Sequence, residues 1–357
     1  RHDFRIDYQV GFNDDGRILA VVFEQALRCG MSWDLSAAIA ARAMCHADNA
    51  YDIEHMRITS YCCKTHTQSN TAFRGFGGPQ GMLGIERVID EVAHHLEIDP
   101  LIVRQRNFYA EKTADRFGVT PYGQKIEDSV LNALVDELTE SSDYFARRAQ
   151  IKAFNAANRY LKRGLALTPV KFGISFNTTF LNQAGSLIHV YNDGSVVLNH
   201  GGTEMGQGLY IKVAQIVAHE FQIDVENIKI TATTTGKVPN SSATAASSGT
   251  DLNGMAALYA ARTIKGRIAE FLAGEHKIKT SQVIFTGGTV HVGDEVISFA
   301  AAVKRAYLGR VSLSATGFYA TPKLSWDGEG MTGRPFYYFA YGGAVSEVMV
   351  DLLTGEN

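Results

Sequence analysis

The chain has 357 residues, 45% of them hydrophobic and 20% charged, and a formal net charge of −3, a globular composition with room for two domains or one large one. Lysine and arginine are interspersed with the acids and form no basic stripe for nucleic acid; no run of 18 apolar residues offers a membrane-spanning helix, and no signal-peptide pattern is read at the start. Cys29, Cys45, Cys62 and Cys63 contain no CxxC pair, which points to free thiols and against a zinc or iron–sulfur site built from them.

Phe4, Ile6, Tyr8, Val10 and Phe12 alternate with polar residues and predict a half-buried strand; Asn13 to Gly16 is a turn, and 18–27 return as a second strand. A short helix is expected over 35–46 and a strand over 56–67. Met82, Ile85, Val88, Ile89, Val92 and Leu96 recur at helical spacing after Gly77-Gly78-Pro79. Asp99-Pro100 reads as an N-cap with proline at the first helical position, opening a short helix that runs into Arg106-Asn107-Phe108-Tyr109. Residues 110–125 read as a linker. Two helices are predicted over 126–138 and 144–161, then an apolar strand over 172–176. A hairpin joins 186–191 to 195–199 around Asn192-Asp193-Gly194. A helix over 209–221, a strand over 228–231, a helix from about 251 to 272 and short strands within 281–298 follow. The last segment, 336–353, is mostly strand and ends at a turn where a hairpin partner would begin. That leaves an unpaired edge, so the sequence reads as cut short there, and also at Arg1, which begins mid-pattern.

Three stretches of small residues are suited to chemistry. In Thr71-Ala72-Phe73-Arg74-Gly75-Phe76-Gly77-Gly78-Pro79-Gln80 the glycines let a ligand approach the backbone. Arg74 is then either a fixed positive charge in an apolar pocket, suited to an oxyanion or a planar acceptor, or a surface arginine on a turn. In 200–208, His-Gly-Gly-Thr-Glu-Met-Gly-Gln-Gly, N–H groups at a helix start attract anions and Gln207 can donate or accept beside them. The other reading is a plain strand-to-helix turn; the spacing is neither GxGxxG nor a Walker loop. In 239–250, Pro-Asn-Ser-Ser-Ala-Thr-Ala-Ala-Ser-Ser-Gly-Thr, nothing is large enough to build a core. Its amides and hydroxyls either line a polar ligand, with the next helix dipole favouring a phosphate, or make a surface loop. Phe108 and Phe176 are either core residues or, brought together, a clamp for a planar ring. His94 and His95 are adjacent on a helix without a metal-ligand partner at i+4, and no catalytic-triad spacing emerges.

Together these motifs resemble the xanthine dehydrogenase and aldehyde oxidase family of molybdenum hydroxylases. The segments at 71–80, 171–176 (Lys-Phe-Gly-Ile-Ser-Phe), 181–185 (Leu-Asn-Gln-Ala-Gly), 201–208, 238–242 (Val-Pro-Asn-Ser-Ser) and 315–319 (Ala-Thr-Gly-Phe-Tyr) occur in family order across nearly the whole chain. The likeness is greatest to bacterial enzymes whose molybdenum-binding part is a separate large subunit. It implies an α+β fold: a molybdopterin-binding domain of two subdomains, truncated at both ends. Residues 1–112 would be the C-terminal part of the first subdomain and 113–357 the N-terminal part of the second.

The resemblance also implies roles. Arg74 matches the arginine that orients a purine and offsets its developing charge; aldehyde oxidases generally lack it. Phe108 and Phe176 match the pair that holds the flat substrate, and Asn177 stands beside the substrate where the family usually has threonine. Arg106 and Ala246 match molybdopterin contacts, Gln207 a glutamine near the metal, and Gly206, Ala245 and Ser247 lie in the same cofactor loops; no residue ligates the metal directly. The implied activity is molybdenum-dependent hydroxylation of hypoxanthine to xanthine and of xanthine to urate in the cytoplasm. Electrons would leave through 2Fe–2S clusters and FAD, on other domains or a partner subunit of an oligomer, to NAD. Alternatives are an aldehyde oxidase-like or other N-heterocycle hydroxylase, and a non-catalytic assembly module of the same fold, which molybdenum content would separate. Two family segments, Gly-Gly-Phe-Gly-Gly-Lys-Glu with a substrate-binding glutamate and Gly-Glu-Pro-Pro with the catalytic base, do not occur in these 357 residues. The chain on its own is therefore expected to bind no molybdenum and to oxidise no xanthine; metal analysis and a xanthine assay of the isolated chain check this, and turnover with bound metal would refute it.

Overall fold

Strict alternation at the start of the chain sets the first sheet. The computed structural model of the protein describes residues 1–109 and 118–357. β1 (Phe4–Phe12) alternates between half-buried and exposed, and pairs antiparallel with β2 (Ile18–Gly30) across the predicted turn. α1 (Ser36–Cys45) crosses back to β3 (His55–Lys64), which pairs parallel with β2, as a crossover helix allows. α2 (Gly78–His95) lays Met82, Ile85, Val88, Ile89 and Val92 on the core. Its N-cap, Gly77, has φ +93°, and a Cβ there would lie 2.2 Å from the Ile39 carbonyl oxygen, so only glycine fits. α3 (Pro100–Asn107) starts as predicted, with the Asp99 carboxylate accepting from the Leu101 N–H at 2.9 Å.

α4 (Leu131–Ser141) begins five residues later than its apolar spacing suggests. Ile126 belongs to an aromatic cluster with Tyr109, Tyr122, Phe336 and Phe339, and its N–H bonds to the Gly118 carbonyl, which keeps it out of the helix. The predicted linker lies partly at 110–117, outside the described residues; the rest is a turn closed by a Val119–Lys125 bridge. α5 (Tyr144–Ala157) ends earlier than expected, because Lys162 Nζ donates to the Asn155 and Asn158 carbonyls and caps it. β4 (Leu161–Ile174) is therefore a fourteen-residue strand where only 172–176 were read as one.

Next come β5 (Gln183–Val190), β6 (Val196–His200), α6 (Leu209–Phe221), β7 (Ile228–Ile230) and α7 (Gly249–His276). β8 (Val283–Thr286), β9 (Thr289–Val292) and β10 (Glu295–Ser298) form a meander that leads into α8 (Phe299–Leu308) and β11 (Ser314–Ala320). Sheet β11-β5-β6-β7 is covered by α7, whose Ala256, Ala257, Ala260 and Ala261 are fully buried. A Cβ on Gly317 of β11 would lie 1.9 Å from the Ala256 carbonyl, so this close approach requires glycine. α8 was not foreseen, although Phe299, Ala302, Val303 and Ala306 stand at helical spacing and Ser298 caps it.

β12 (Ser325–Asp327), β13 (Thr332–Arg334) and β14 (Tyr338–Asp351) complete the chain. β14 pairs antiparallel with β4 from Tyr338–Ile174 to Asp351–Leu161; the two form a two-stranded sheet, so among the described residues the other edge of β14 has no strand beside it, as the sequence leads one to expect. Compactness divides the chain into Arg1–Asn177 with Ser325–Asn357, and Thr178–Leu324. These units part elsewhere than at 112, because Leu131, Val135, Tyr144, Ile151 and Leu165 share a core with Phe23, Ile85 and Val88. Among the described residues no helix is long and apolar enough to cross a membrane.

The first unit buries an ion pair. Lys171 Nζ lies 3.1 Å from Asp48 Oδ2, which also accepts from the Tyr109 hydroxyl at 2.6 Å, and both charged side chains are about 1% exposed. Lys171→Met leaves the carboxylate without its counter-charge and should cost about 3–5 kcal/mol in urea denaturation, with Asp48→Leu added to it recovering much of the loss.

Candidate functional site

Three side chains of the segment 42–49, at and after the end of α1, reach the backbone of β4 and of the turn that follows it. Asn49 Nδ2 donates to the Pro169 carbonyl and its Oδ1 accepts from Lys171 N–H, at 2.9 and 3.1 Å. His46 Nε2 accepts from Gly173 N–H at 3.0 Å, while Nδ1 faces the Arg42 carbonyl at 2.8 Å, so the ring is neutral with its proton on Nδ1. Burial holds the His46 pKa well below 6.5. Arg42 donates to the carbonyls of Gly173 and, at 2.8 Å, Ser175. Backbone groups of 169, 171, 173 and 175 that a neighbouring strand would satisfy are thus satisfied by side chains. Composition and periodicity carry no sign of this segment's role.

The glycine-rich stretch 71–80 packs onto the same place: a Cβ on Gly78 would lie 2.7 Å from the Phe172 ring and 3.6 Å from His46. Arg74 sits in the turn between Gly75 and Phe73, exposed, beside a crevice of about 10 Å³ also lined by His2, Ile39, Thr71, Phe73, Gly77 and Gln80. Of the two readings of Arg74, the structure shows the solvent-facing one: the guanidinium is not enclosed in an apolar pocket, and among the described residues it has no ion-pair partner. Phe108 is buried in the core, its ring stacked on Tyr51 at 6.0 Å and 13°. Phe176 and Asn177 are half-buried at the end of β4, and the Asn177 amide accepts from Arg42 at 3.4 Å. Arg106 is exposed and tied to the first turn: it donates to the Asp15 carbonyl, and Arg17 donates to the Arg106 carbonyl.

Two of the three stretches meet within the second unit. Thr203 N–H donates to Thr244 Oγ1 at 2.9 Å, and a Cβ on Gly201 would collide with Ser241. The expectation that the first N–H groups of α6 await an anion is overturned. The carboxylate of Glu204 takes the N–H groups of Gly206, Gly208 and Tyr210 at 2.8, 3.0 and 3.1 Å, and these bonds hold its pKa below the usual range. Gln207 is likewise committed, accepting from Met205 N–H and donating to the Thr203 carbonyl. Gly206 is exposed with φ +94°. Ala245 is exposed, and Ala246 and Ser247 adopt φ +56° and +59°, consecutive left-handed positions that cost energy in residues carrying a Cβ. The N-cap of α7, Ser248, makes no side-chain cap bond, and Asp251 stands in the first turn. His200 is buried; Nδ1 accepts from Gly202 N–H at 3.1 Å, and among the described residues Nε2 has no partner. Burial lowers its pKa to about 4, so at neutral pH Nε2 carries an unpaired proton.

Residues 1–108 and 137–357 each match a molybdopterin cofactor-binding domain. The chain belongs to that family. Over its whole length it is 44% identical to the xanthine dehydrogenase of Oryza sativa subsp. japonica and 46% identical to the xanthine dehydrogenase/oxidase of Mus musculus, of which it spans 24% and 25%. Its fold is that of quinoline 2-oxidoreductase from Pseudomonas putida 86, with a TM-score of 0.83 and 21% identity over 99% of this chain and 45% of that one. The aldehyde oxidoreductase from Desulfovibrio gigas has a TM-score of 0.81 and 21% identity, over 100% of this chain and 36% of its own.

The second unit's loops suit such a group. The N–H groups at the start of α7, without a side-chain cap from Ser248, and the His200 N–H, unpartnered among the described residues, are donors of the kind that bind phosphate and ring-amide oxygens. His200 also makes stability pH-dependent. Its folded pKa, about 4, lies below the ordinary 6.5, so between the two the unfolded chain binds the extra proton and stability falls as pH falls. Unfolding free energies from urea titrations at pH 7.5 and 5 should differ by about 2 kcal/mol from this group, a share absent in His200→Gln.

Proposed function

We propose that this chain is the cofactor- and substrate-facing part of a cytoplasmic, oligomeric purine hydroxylase that converts hypoxanthine to xanthine and xanthine to urate. The observation that carries the reading is identity of 44–46% along the full chain to proteins named xanthine dehydrogenase, against 21% to the aldehyde oxidoreductase of the same fold. The boundary between its two cofactor-binding subdomains would fall near 112, in the gap between the matched stretches 1–108 and 137–357.

In this reading the bound molybdenum cofactor would supply oxygen-transfer and two-electron redox chemistry, with 2Fe–2S clusters and FAD on other domains or a partner subunit to carry electrons to NAD. The chain's residues bind and orient. Arg74, solvent-facing and without an ion-pair partner among the described residues, would meet the purine oxygen and offset negative charge as the ring carbon is attacked. Phe108, already backed by Tyr51, and Phe176 would hold the ring plane, with Asn177 at its polar edge. Gly206, Gln207, Ala245, Ala246 and Ser247 would line the cofactor in the second unit, and Arg106 in the first. In the full-length enzyme, Arg74→Met should lower kcat/KM for xanthine about 100- to 1000-fold while an aromatic aldehyde changes only a few-fold. Equal losses on both would sink the purine assignment in favour of an aldehyde or other N-heterocycle hydroxylase.

A further inference from the structure

Arg42 has no part in the reading above, yet it is a deeply enclosed cation beside the candidate site. Its side chain is 3% exposed, and the guanidinium lies between the rings of Phe172 and Phe336, 4.9 and 5.0 Å from their centroids. Among the described residues no carboxylate pairs with it. A buried charge is costly unless it is paired or hydrogen-bonded, and here the charge is spent on chain geometry. One arm of the fork meets the Gly173 carbonyl; the other meets the Ser175 carbonyl and the Asn177 amide oxygen.

The backbone it grips is strained. Ser175 has φ +132°, a region that residues with a Cβ rarely enter. Two further bonds to this turn come from Tyr337, whose N–H donates to the Ile174 carbonyl and Ser175 Oγ. The turn therefore holds its shape because donors on two sides overdetermine it, and the next two residues are Phe176 and Asn177. Burial lowers the pKa of Arg42 to about 10, which leaves it charged at neutral pH.

We propose that Arg42 is a positioning residue: its forked guanidinium fixes the turn at 173–177 and so sets where the Phe176 ring and the Asn177 amide stand toward the flat substrate. This rests on the reading that those two residues face the substrate. Lysine cannot replace it, because an ammonium on a flexible stem does not hold two carbonyls and an amide in one plane. A stacking surface binds substrate and transition state alike, so displacing it raises KM and leaves kcat largely alone.

The test uses the full-length holoenzyme with Arg42→Lys, Phe176→Leu and the double variant. Molybdenum content and thermal midpoint report the fold; KM and kcat for xanthine and the Kd of urate, a purine that does not turn over, report the site. The expected result for Arg42→Lys is retained molybdenum, kcat within about threefold, and KM and urate Kd each raised about tenfold or more. The double variant should lose less than the two single losses combined, since both variants act on the Phe176 ring. If Phe176→Leu raises KM and Arg42→Lys folds but changes neither KM nor Kd, the positioning role is wrong. If Phe176→Leu is itself silent, the placement of Phe176 at the substrate fails and the proposal falls with it. Should Arg42→Lys not fold, Arg42→Gln removes the buried charge and the fork while leaving a planar amide in its place; a several-fold rise in KM supports the proposal, and unchanged KM and Kd overturn it.

Discussion

The carboxylate of Asp48 and the ammonium of Lys171, buried together at 3.1 Å, constrain much of the first unit. Neither charge is tolerable alone at that depth, so β4 has one acceptable register against the segment 42–49. Once that register is set, Asn49 meets residues 169 and 171, His46 meets 173, and Arg42 meets 173 and 175. The strand end that carries Phe176 and Asn177 is thus located by side-chain bonds to backbone. The same segment continues to Tyr51, which supports Phe108 on one side and bonds to Glu86 on the other. Glu86 in turn neutralises the buried Arg104 together with Asp90. Clamp, strand and helix α2 are tied to one polar interior.

The second unit solves a different problem. Its long helix approaches the sheet closely because alanines and Gly317 remove side-chain bulk at the contact. That leaves the loops before α6 and α7 to pack against each other as nearly bare backbone. The two helix starts then diverge in character. α6 is capped by a carboxylate from its own loop, whereas α7 begins after two strained residues. The donors at the first start are thus committed to Glu204, while at the second Ser248 supplies no side-chain cap and Asp251 stands in the first turn.

Legibility followed the range of the interactions. Alternation in 4–12, the apolar repeat in 82–96 and the Asp99-Pro100 cap are local patterns, and the elements formed where they lie. β4 was read too short and α4 too long because their limits depend on distant partners: β14 for the strand, and for Ile126 an aromatic cluster containing Phe336 and Phe339. Among the candidate site residues the motifs led to Arg74, Phe176 and the 200–208 and 239–250 loops. Arg42, His46, Asp48 and Lys171 were missed, since an isolated arginine or lysine in a sequence has no mark of being buried.

From the amino-acid order alone come the family likeness, the α+β class, the three small-residue stretches and most helices, because each depends on residues close together in the chain. Tertiary structure alone decided that Glu204 closes the α6 start, that Phe108 lies on Tyr51, and that Arg42 reaches across to the turn at 173–177. Those outcomes turn on which groups lose water together, and desolvation is a property of the packed interior that no local stretch of sequence possesses.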